Sequence, residues 1–407
     1  MRRTLFAALS AGMVAIAVTM APAATAATPD RADAYIVMLA PGTNAISVAA
    51  EHSNAHGLAV GHLYQYAISG YSARMSASAA ASIAKDPRVL LVEPDGVASI
   101  AAQTLPTGIN RIDAELSPTA AIDGVDTRVN VDVAVIDTGV DLDHPDLNVY
   151  TAGAKNCSTG KSADDGNGHG SHVAGTIGAL DNSVGVVGMA PGARIWPVRV
   201  LNAQGSGSWS DVVCGIDYVT AHASEIEVAN MSLGGTGTDD GNCGRSNNDT
   251  LHQAICRSVA AGVTYAVAAG NESDNAANHV PAAYDEVITV SALADFNGAP
   301  GGGAAATCRA DVDDTFADFS NYGPDVDIIA PGVCIYSSWK GAGYNTISGT
   351  SMATPHVTGG AALYKATHPT ASPATVKSAL LAAGTTNWST GTDPDSTHEP
   401  LLNVAAF

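Results

Sequence analysis

The sequence predicts an α/β protein: a doubly wound, mostly parallel sheet, preceded by a smaller unit of helix and strand. Three observations predict it. Apolar runs of strand length recur between residues 131 and 268. Helical patterns lie between them, as crossovers between parallel strands require. Two of the runs lead directly into Asp137 and Asn271. Polar residues at such strand ends stand where this fold class binds its ligands.

The elements follow in chain order. Met1-Arg2-Arg3 is basic, an apolar run extends from Leu5 to about Met20, and Ala24-Thr25-Ala26 is a small-residue cleavage pattern. Residues 1–26 therefore read as a signal peptide, so the chain is expected to be secreted. A membrane anchor would lack the cleavage pattern, and no second long apolar run appears. Strands are predicted at Tyr35–Leu39, Gly70–Met75 and Val89–Glu93, with helices near Asn44–His56 and at Ala77–Lys85, where Asp86-Pro87 ends the second. An alanine-rich linker follows. In the larger part, strands are predicted at Val131–Ile136, Ala193–Val200, Val228–Ser232 and Val263–Ala268. Helices are predicted at Ser210–Ser224 and Thr250–Ala261. Residues 298–306 form a Gly/Ala-rich loop that carries no recognisable chemistry.

Composition narrows the function classes. Hydrophobic residues make up 46% and charged residues 14%, a globular balance rather than a disordered one. The net charge is −21, and residues 1–101 contribute none of it, with six basic and six acidic side chains. Such acidity argues against nucleic-acid and anionic-membrane partners, which need basic patches. All six cysteines follow residue 101. An even count in an exported chain indicates disulfides, and no C-x-x-C pair points to zinc. Six cysteines allow fifteen pairings. Order along the chain offers Cys157–Cys214, Cys243–Cys256 and Cys308–Cys334, and leaves the others open.

The densest chemistry lies at Ser348-Gly349-Thr350-Ser351-Met352-Ala353. It reads as a strand-to-helix turn presenting a hydroxyl where free backbone N–H groups and the helix dipole favour an anion. A serine there is by default a helix cap. Serine attacks carbonyls only with a base to take its proton and a group to hold that base. Asp137-Thr138-Gly139 supplies a carboxylate at a strand end, and Gly168-His169-Gly170-Ser171-His172 supplies an imidazole where a glycine-rich turn enters a helix. A metal pair of His169 and His172 lacks the glutamate that H-E-x-x-H requires.

Taken in order, Asp137-Thr138-Gly139, His169-Gly170-Ser171-His172-Val173-Ala174-Gly175 and Gly349-Thr350-Ser351-Met352-Ala353 resemble the subtilisin-like serine proteases over roughly residues 102–368. Ser171, where relatives often carry threonine, is the departure within these blocks. The resemblance implies a serine endopeptidase in which Ser351 is the nucleophile, His169 the base and Asp137 its orienter. Asn271, in Ala268-Ala269-Gly270-Asn271, would donate to the oxyanion. Ser232, Leu233, Gly234 and Gly235 would form one substrate wall with Ala269 and Gly270. Gly205, Ser206 and Gly207 would form the opposing edge, and Trp209 would lie near a more distal pocket. Glu272 has two readings, a carboxylate favouring basic substrate side chains or a solvated rim charge.

The resemblance implies no cofactor for catalysis but a structural Ca²⁺ held by Gln103, Asp146, Leu180, Asn182, Val184 and Val186. It points more weakly to a second site near Ala282, Tyr284, Val287 and Asp327. It also makes residues 27–101 an inhibitory, chaperoning propeptide of α+β, ferredoxin-like fold. Residues 102–407 are then the catalytic domain, with the junction near Ala101–Ala102. The expected molecule is a self-processing zymogen and a monomer, with protein or peptide substrates and its own propeptide as partners. An α/β-hydrolase esterase, whose nucleophile elbow the Ser351 turn nearly fits, would place its acid and histidine after the serine. Nothing around His368 or His398 resembles such a site. A non-catalytic relative would have lost one of the four catalytic groups.

Overall fold

The computed structural model describes residues 34–95 and 103–407. The expected signal peptide and the expected Ala101–Ala102 junction lie outside the described residues. Two units divide between Ser99 and Ile100.

The first unit runs β1 (Ala34–Leu39), α1 (Ala45–His56), β2 (Ala59–Tyr64), β3 (Gly70–Arg74), α2 (Ala77–Ile83) and β4 (Val89–Pro94). Its sheet has the order β2-β3-β1-β4, with every pairing antiparallel. This is the ferredoxin-like arrangement. Asn44 caps α1 by accepting from the N–H groups of Ile46 and Ser47, and Gly57 ends it in a left-handed conformation, φ 67°. Val37, Leu39, Val48, Tyr71 and Ile83 build the core. Gly70 lets β3 lie close against β1, because a side-chain carbon there would collide with the Val37 carbonyl. The sequence pattern did not reveal β2. It is an edge strand exposed along nearly its whole length, so no apolar alternation marks it.

The second unit carries an eight-stranded sheet. Its elements are α3 (Thr107–Arg111), β5 (Asp132–Asp137), β6 (Lys155–Asn156), α4 (His169–Gly178), β7 (Arg194–Arg199), α5 (Trp209–Ala221), β8 (Val228–Met231), β9 (Gly235–Thr236), α6 (Thr250–Ala260), β10 (Thr264–Ala268), β11 (His279–Val280), β12 (Ile288–Ala294), β13 (Thr315–Phe316), β14 (Ile328–Pro331), β15 (Ile335–Trp339), β16 (Gly343–Ile347), α7 (Thr350–Thr367) and α8 (Pro373–Ala383). The sheet order is β13-β12-β10-β8-β5-β7-β6, with β14 also on β12. All pairings are parallel except the short β13 on β12. From β5 the chain goes to β6 and β7 on one side, then to β8 on the other. That reversal opens a crevice at the carboxyl end of β5.

Both faces of the sheet are covered, so its strands are apolar without alternation. Val133 and Val135 of β5 pack with residues of α4 and α7. Ala134 and Ile136, pointing the other way, pack with residues of α5 and α6. Ser208 and Asp211 close a capping box on α5. The Gly/Ala-rich loop is a structural wrap. Backbone N–H groups of Phe296 and Ala304 donate to Asp313, and those of Gly301 and Gly302 donate to Asp314. Disulfides join Cys157–Cys214, Cys243–Cys256 and Cys308–Cys334, the pairing in chain order. Among the described residues no helix is long and apolar enough to cross a membrane.

Candidate active site

The crevice gathers side chains from four strand ends and helix starts. Asp137 ends β5, fully buried. His169 opens α4 after Gly168, whose φ of 115° turns the chain into the helix. The imidazole Nδ1 lies 2.8 and 3.0 Å from the two carboxylate oxygens of Asp137. A carboxylate only accepts, so the proton sits on Nδ1 and the lone pair on Nε2. Gly170 makes this approach possible, because a side-chain carbon there would strike the Gly139 carbonyl. Burial opposes charge on the ring. The Asp137 charge, its hydrogen bond and the Asp165 charge outweigh burial and raise the His169 pKa above the ordinary imidazole value.

Asp165 was not singled out in the sequence, yet it organises the turn before His169. It accepts from the N–H groups of Asn167, Gly168 and Ser171 and from the hydroxyls of Thr138 and Ser171. Ser171, the departure noted in the motif, thus uses its hydroxyl to hold Asp165 at 2.7 Å. His172 faces away from His169. Its Nε2 donates to the carbonyls of Ile335 and Asn345, and burial pushes its pKa down to about 3.

Ser351 is the second residue of α7. Its hydroxyl donates to the Ser232 carbonyl at 3.3 Å and makes no hydrogen bond to His169. Ser232 in turn donates from its own hydroxyl to the Ser351 carbonyl at 2.8 Å. Catalytic contacts of this kind commonly tighten only around bound substrate. Asn271 follows the end of β10. Its side-chain oxygen accepts from the Thr350 N–H (2.8 Å) and the Thr350 hydroxyl (3.1 Å). The oxygen being fixed in this way, the amide N–H₂ is the remaining hydrogen-bonding group of Asn271, which lines one cavity with Ser351. Thr350, to which the sequence reading assigned no role, thus holds Asn271 in place.

Two cavities flank these groups. One of about 610 Å³ is lined by His169, by Gly205, Ser206 and Gly207, by Trp209, and by Ser232, Leu233 and Gly234. The other, about 180 Å³, is lined by Leu233, Gly234 and Gly235, by Ala269, Gly270 and Asn271, and by Glu272, His279 and Ser351. Glu272 is half-exposed but not merely solvated. One of its oxygens accepts from the Asn271 N–H and from the Asn321 amide, at 2.8 and 2.9 Å.

The six residues expected to hold calcium also meet. The Gln103 amide reaches the carbonyls of Leu180 (2.5 Å) and Val186 (3.2 Å). Asp146, buried completely, accepts from the Asn182 amide and the Val186 N–H. The Val184 N–H donates to the Asn182 side-chain oxygen at 2.7 Å. Burial pushes the Asp146 carboxyl above its ordinary range despite these donors. A buried carboxylate short of countercharge amid amide and carbonyl oxygens fits a hard divalent cation. The second expected site does not fit. Lys377 of α8 places its ammonium 2.8 Å from Asp327 and donates to the carbonyls of Val287 (2.8 Å) and Asp285 (3.3 Å). That ammonium already supplies the positive charge.

Comparison with known proteins identifies the family of both units. The model of the Subtilase family matches residues 129–397, and that of Peptidase inhibitor I9 matches residues 34–101. Subtilisin E of Bacillus subtilis (strain 168) is 38% identical over 321 residues, covering 78% of this chain and 76% of the relative. An extracellular serine proteinase of Thermus sp. (strain Rt41A) is 40% identical over 340 residues, covering 81% and 74%. The crystal structure of a cold-adapted subtilisin-like serine proteinase superposes with a TM-score of 0.54 at 32% identity, covering 74% of this chain and 99% of that one.

Proposed function

Because the chain belongs to the subtilase family, we infer that Asp137, His169 and Ser351 form its catalytic triad. The protein is a serine endopeptidase made as a zymogen with an I9-type propeptide. The observation that carries the residue assignment is the buried Asp137 carboxylate held on His169 Nδ1 at 2.8 Å, with Nε2 left free.

The chemistry follows from that proton arrangement. Ser351 Oγ attacks the scissile carbonyl carbon and its proton passes to His169 Nε2. Asp137 keeps the tautomer and stabilises the imidazolium. The carbonyl oxygen becomes an oxyanion, received by the Asn271 amide and the Ser351 backbone N–H. The Nε2 proton then moves to the leaving nitrogen as the C–N bond breaks, leaving an acyl group on Ser351. Water, deprotonated by His169, releases it. Leu233–Gly235 and Gly205–Gly207 offer backbone groups on either side of the crevice, so an extended peptide would bind as an added strand. Gln103, Asp146, Leu180, Asn182, Val184 and Val186 would hold one Ca²⁺, which would tie the chain near residue 103 to the 180–186 loop. Residues 27–101 would occlude the crevice until cut, and the processed protein would be secreted as a monomer.

Ser351→Ala in the full chain tests the reading. It is expected to accumulate as uncleaved precursor, with turnover lower by on the order of 10⁶, the scale measured on subtilisin, a member of this family. Equal digestion of a denatured protein by Ser351→Ala and wild type, or by neither, would defeat it.

A further inference from the structure

The segment between β9 and α6 holds a cluster that the triad does not use. His252 lies in the first turn of α6, buried completely, its ring stacked on Tyr284 at 3.9 Å and 5°. Its Nε2 is 2.9 Å from a Glu286 oxygen. Since the carboxylate only accepts, the proton is on Nε2 and the lone pair is on Nδ1. Nδ1 has no hydrogen-bond partner and no solvent access. It faces Asp239 Oδ1 at 3.5 Å and Asp240 Oδ1 at 3.7 Å.

A buried lone pair opposed by two carboxylates is repulsive unless a positive charge lies between them. A proton would draw one carboxylate to roughly 2.7–2.9 Å, the length of a charge-assisted hydrogen bond. The observed gaps are wider. They suit ligand atoms arranged about a metal ion with bonds of about 2.0–2.2 Å. Both acids are held for such a role. Burial works against charge on Asp240, yet the N–H groups of Asn242, Gly244, Ser246 and Asn247 hold its carboxyl down at about 2. The local field is strongly negative: burial first, then the charges of Asp285, Asp239 and Asp327, push the neighbouring Asp325 carboxyl up. Glu286 behind the imidazole completes the carboxylate–histidine relay that orients metal-binding histidines. The Cys243–Cys256 disulfide pins the acidic loop to α6 one turn beyond His252, and it removes both sulfurs from the donor set.

We propose that Asp239, Asp240 and His252 form a site for a divalent cation of borderline softness, such as zinc. Such an ion locks the loop that follows the substrate wall onto α6. One imidazole nitrogen with carboxylate oxygens favours this class over calcium, which takes oxygen alone.

The test uses processed enzyme, blocked at its nucleophile with a sulfonyl fluoride and kept in excess Ca²⁺ so that oxygen-only sites are filled. Zn²⁺ titration by calorimetry should show one equivalent more for wild type than for His252→Gln, and Co²⁺ should give a visible ligand-field band in wild type alone. Asp239→Asn, a part-exposed position outside the catalytic machinery, guards against a folding failure of the histidine variant. It should keep peptidase activity and bind Zn²⁺ at least about tenfold more weakly. Equal Zn²⁺ binding by wild type and Asp239→Asn would overturn the proposal. So would an imidazole ¹⁵N spectrum showing His252 doubly protonated at neutral pH and unmoved by Zn²⁺, since the cluster would then be an ordinary ion pair.

Discussion

At the scale of single residues, the site depends on groups that hold other groups still. Thr350 fixes the Asn271 side-chain oxygen, which leaves the amide nitrogen for the oxyanion role proposed above. Asn271→Ala is expected to lower kcat by roughly 10²–10³ with KM little changed, because the donor acts on charge present only in the transition state. Initial-rate kinetics on a short peptide would check it, and a drop confined to KM would contradict it. His169 carries a pH prediction. Its pKa is raised, and attack needs the neutral ring. Activity should therefore appear as pH rises through a value above that of ordinary imidazole. Asp137→Asn should shift this acidic limb downward while reducing turnover by about 10⁴, the scale seen for the same change in another triad.

At the scale of elements, loops carry groups that regular structure cannot. The segment after the Thr390–Thr392 turn buries Glu399 with neither carboxylate oxygen partnered. Burial, then the Asp393 charge, pushes its carboxyl up to about 9. An acid with a raised folded pKa binds its proton more tightly when folded. Each pH step between its ordinary value and about 9 therefore costs stability. Glu399→Gln is expected to raise Tm at pH near 9 by several degrees and to change it little near pH 5. Thermal melts at the two pH values would check it, and an equal shift at both would count against a charge effect. Strands β5, β7, β8 and β10 were readable because both sheet faces are covered and their residues are apolar throughout. The β15–β16 hairpin, which receives the His172 N–H, was not. Its pattern Ile-Tyr-Ser-Ser-Trp mixes buried and exposed positions, so the apolar signal is broken.

At the scale of the molecule, the catalytic unit is pinned by long-range links. The Cys157–Cys214 bridge spans 57 positions, and Gln103 meets carbonyls some 77 and 83 residues away. If Ca²⁺ binds around Asp146, chelation should shorten the half-time of thermal inactivation of wild type and leave Asp146→Ala, already labile, unchanged. Lys377→Ala should behave oppositely. With the ammonium gone, the carbonyls of Asp285 and Val287 and the Asp327 carboxylate become available, and equilibrium dialysis should count one more bound Ca²⁺ than in wild type. No gain in that variant would mean that the three groups need Lys377 only as a neutralising partner.

What could be read from the chain alone was whatever neighbours in sequence encode. Strand and helix periods are local, and so are the turns around Asp137, His169 and Ser351. Their order along the chain separated this triad from an esterase elbow. Partners brought together by the fold were legible only through resemblance, or not at all. The Asp137–His169 pair spans 32 positions, and the Asn271–Thr350 lock spans 79. The ammonium of Lys377 on Asp327 and the lone pair of His252 facing Asp239 and Asp240 have no local signature. They depend on how sheet, helices and loops pack, because electrostatic partners are chosen by distance in space and not by distance along the chain.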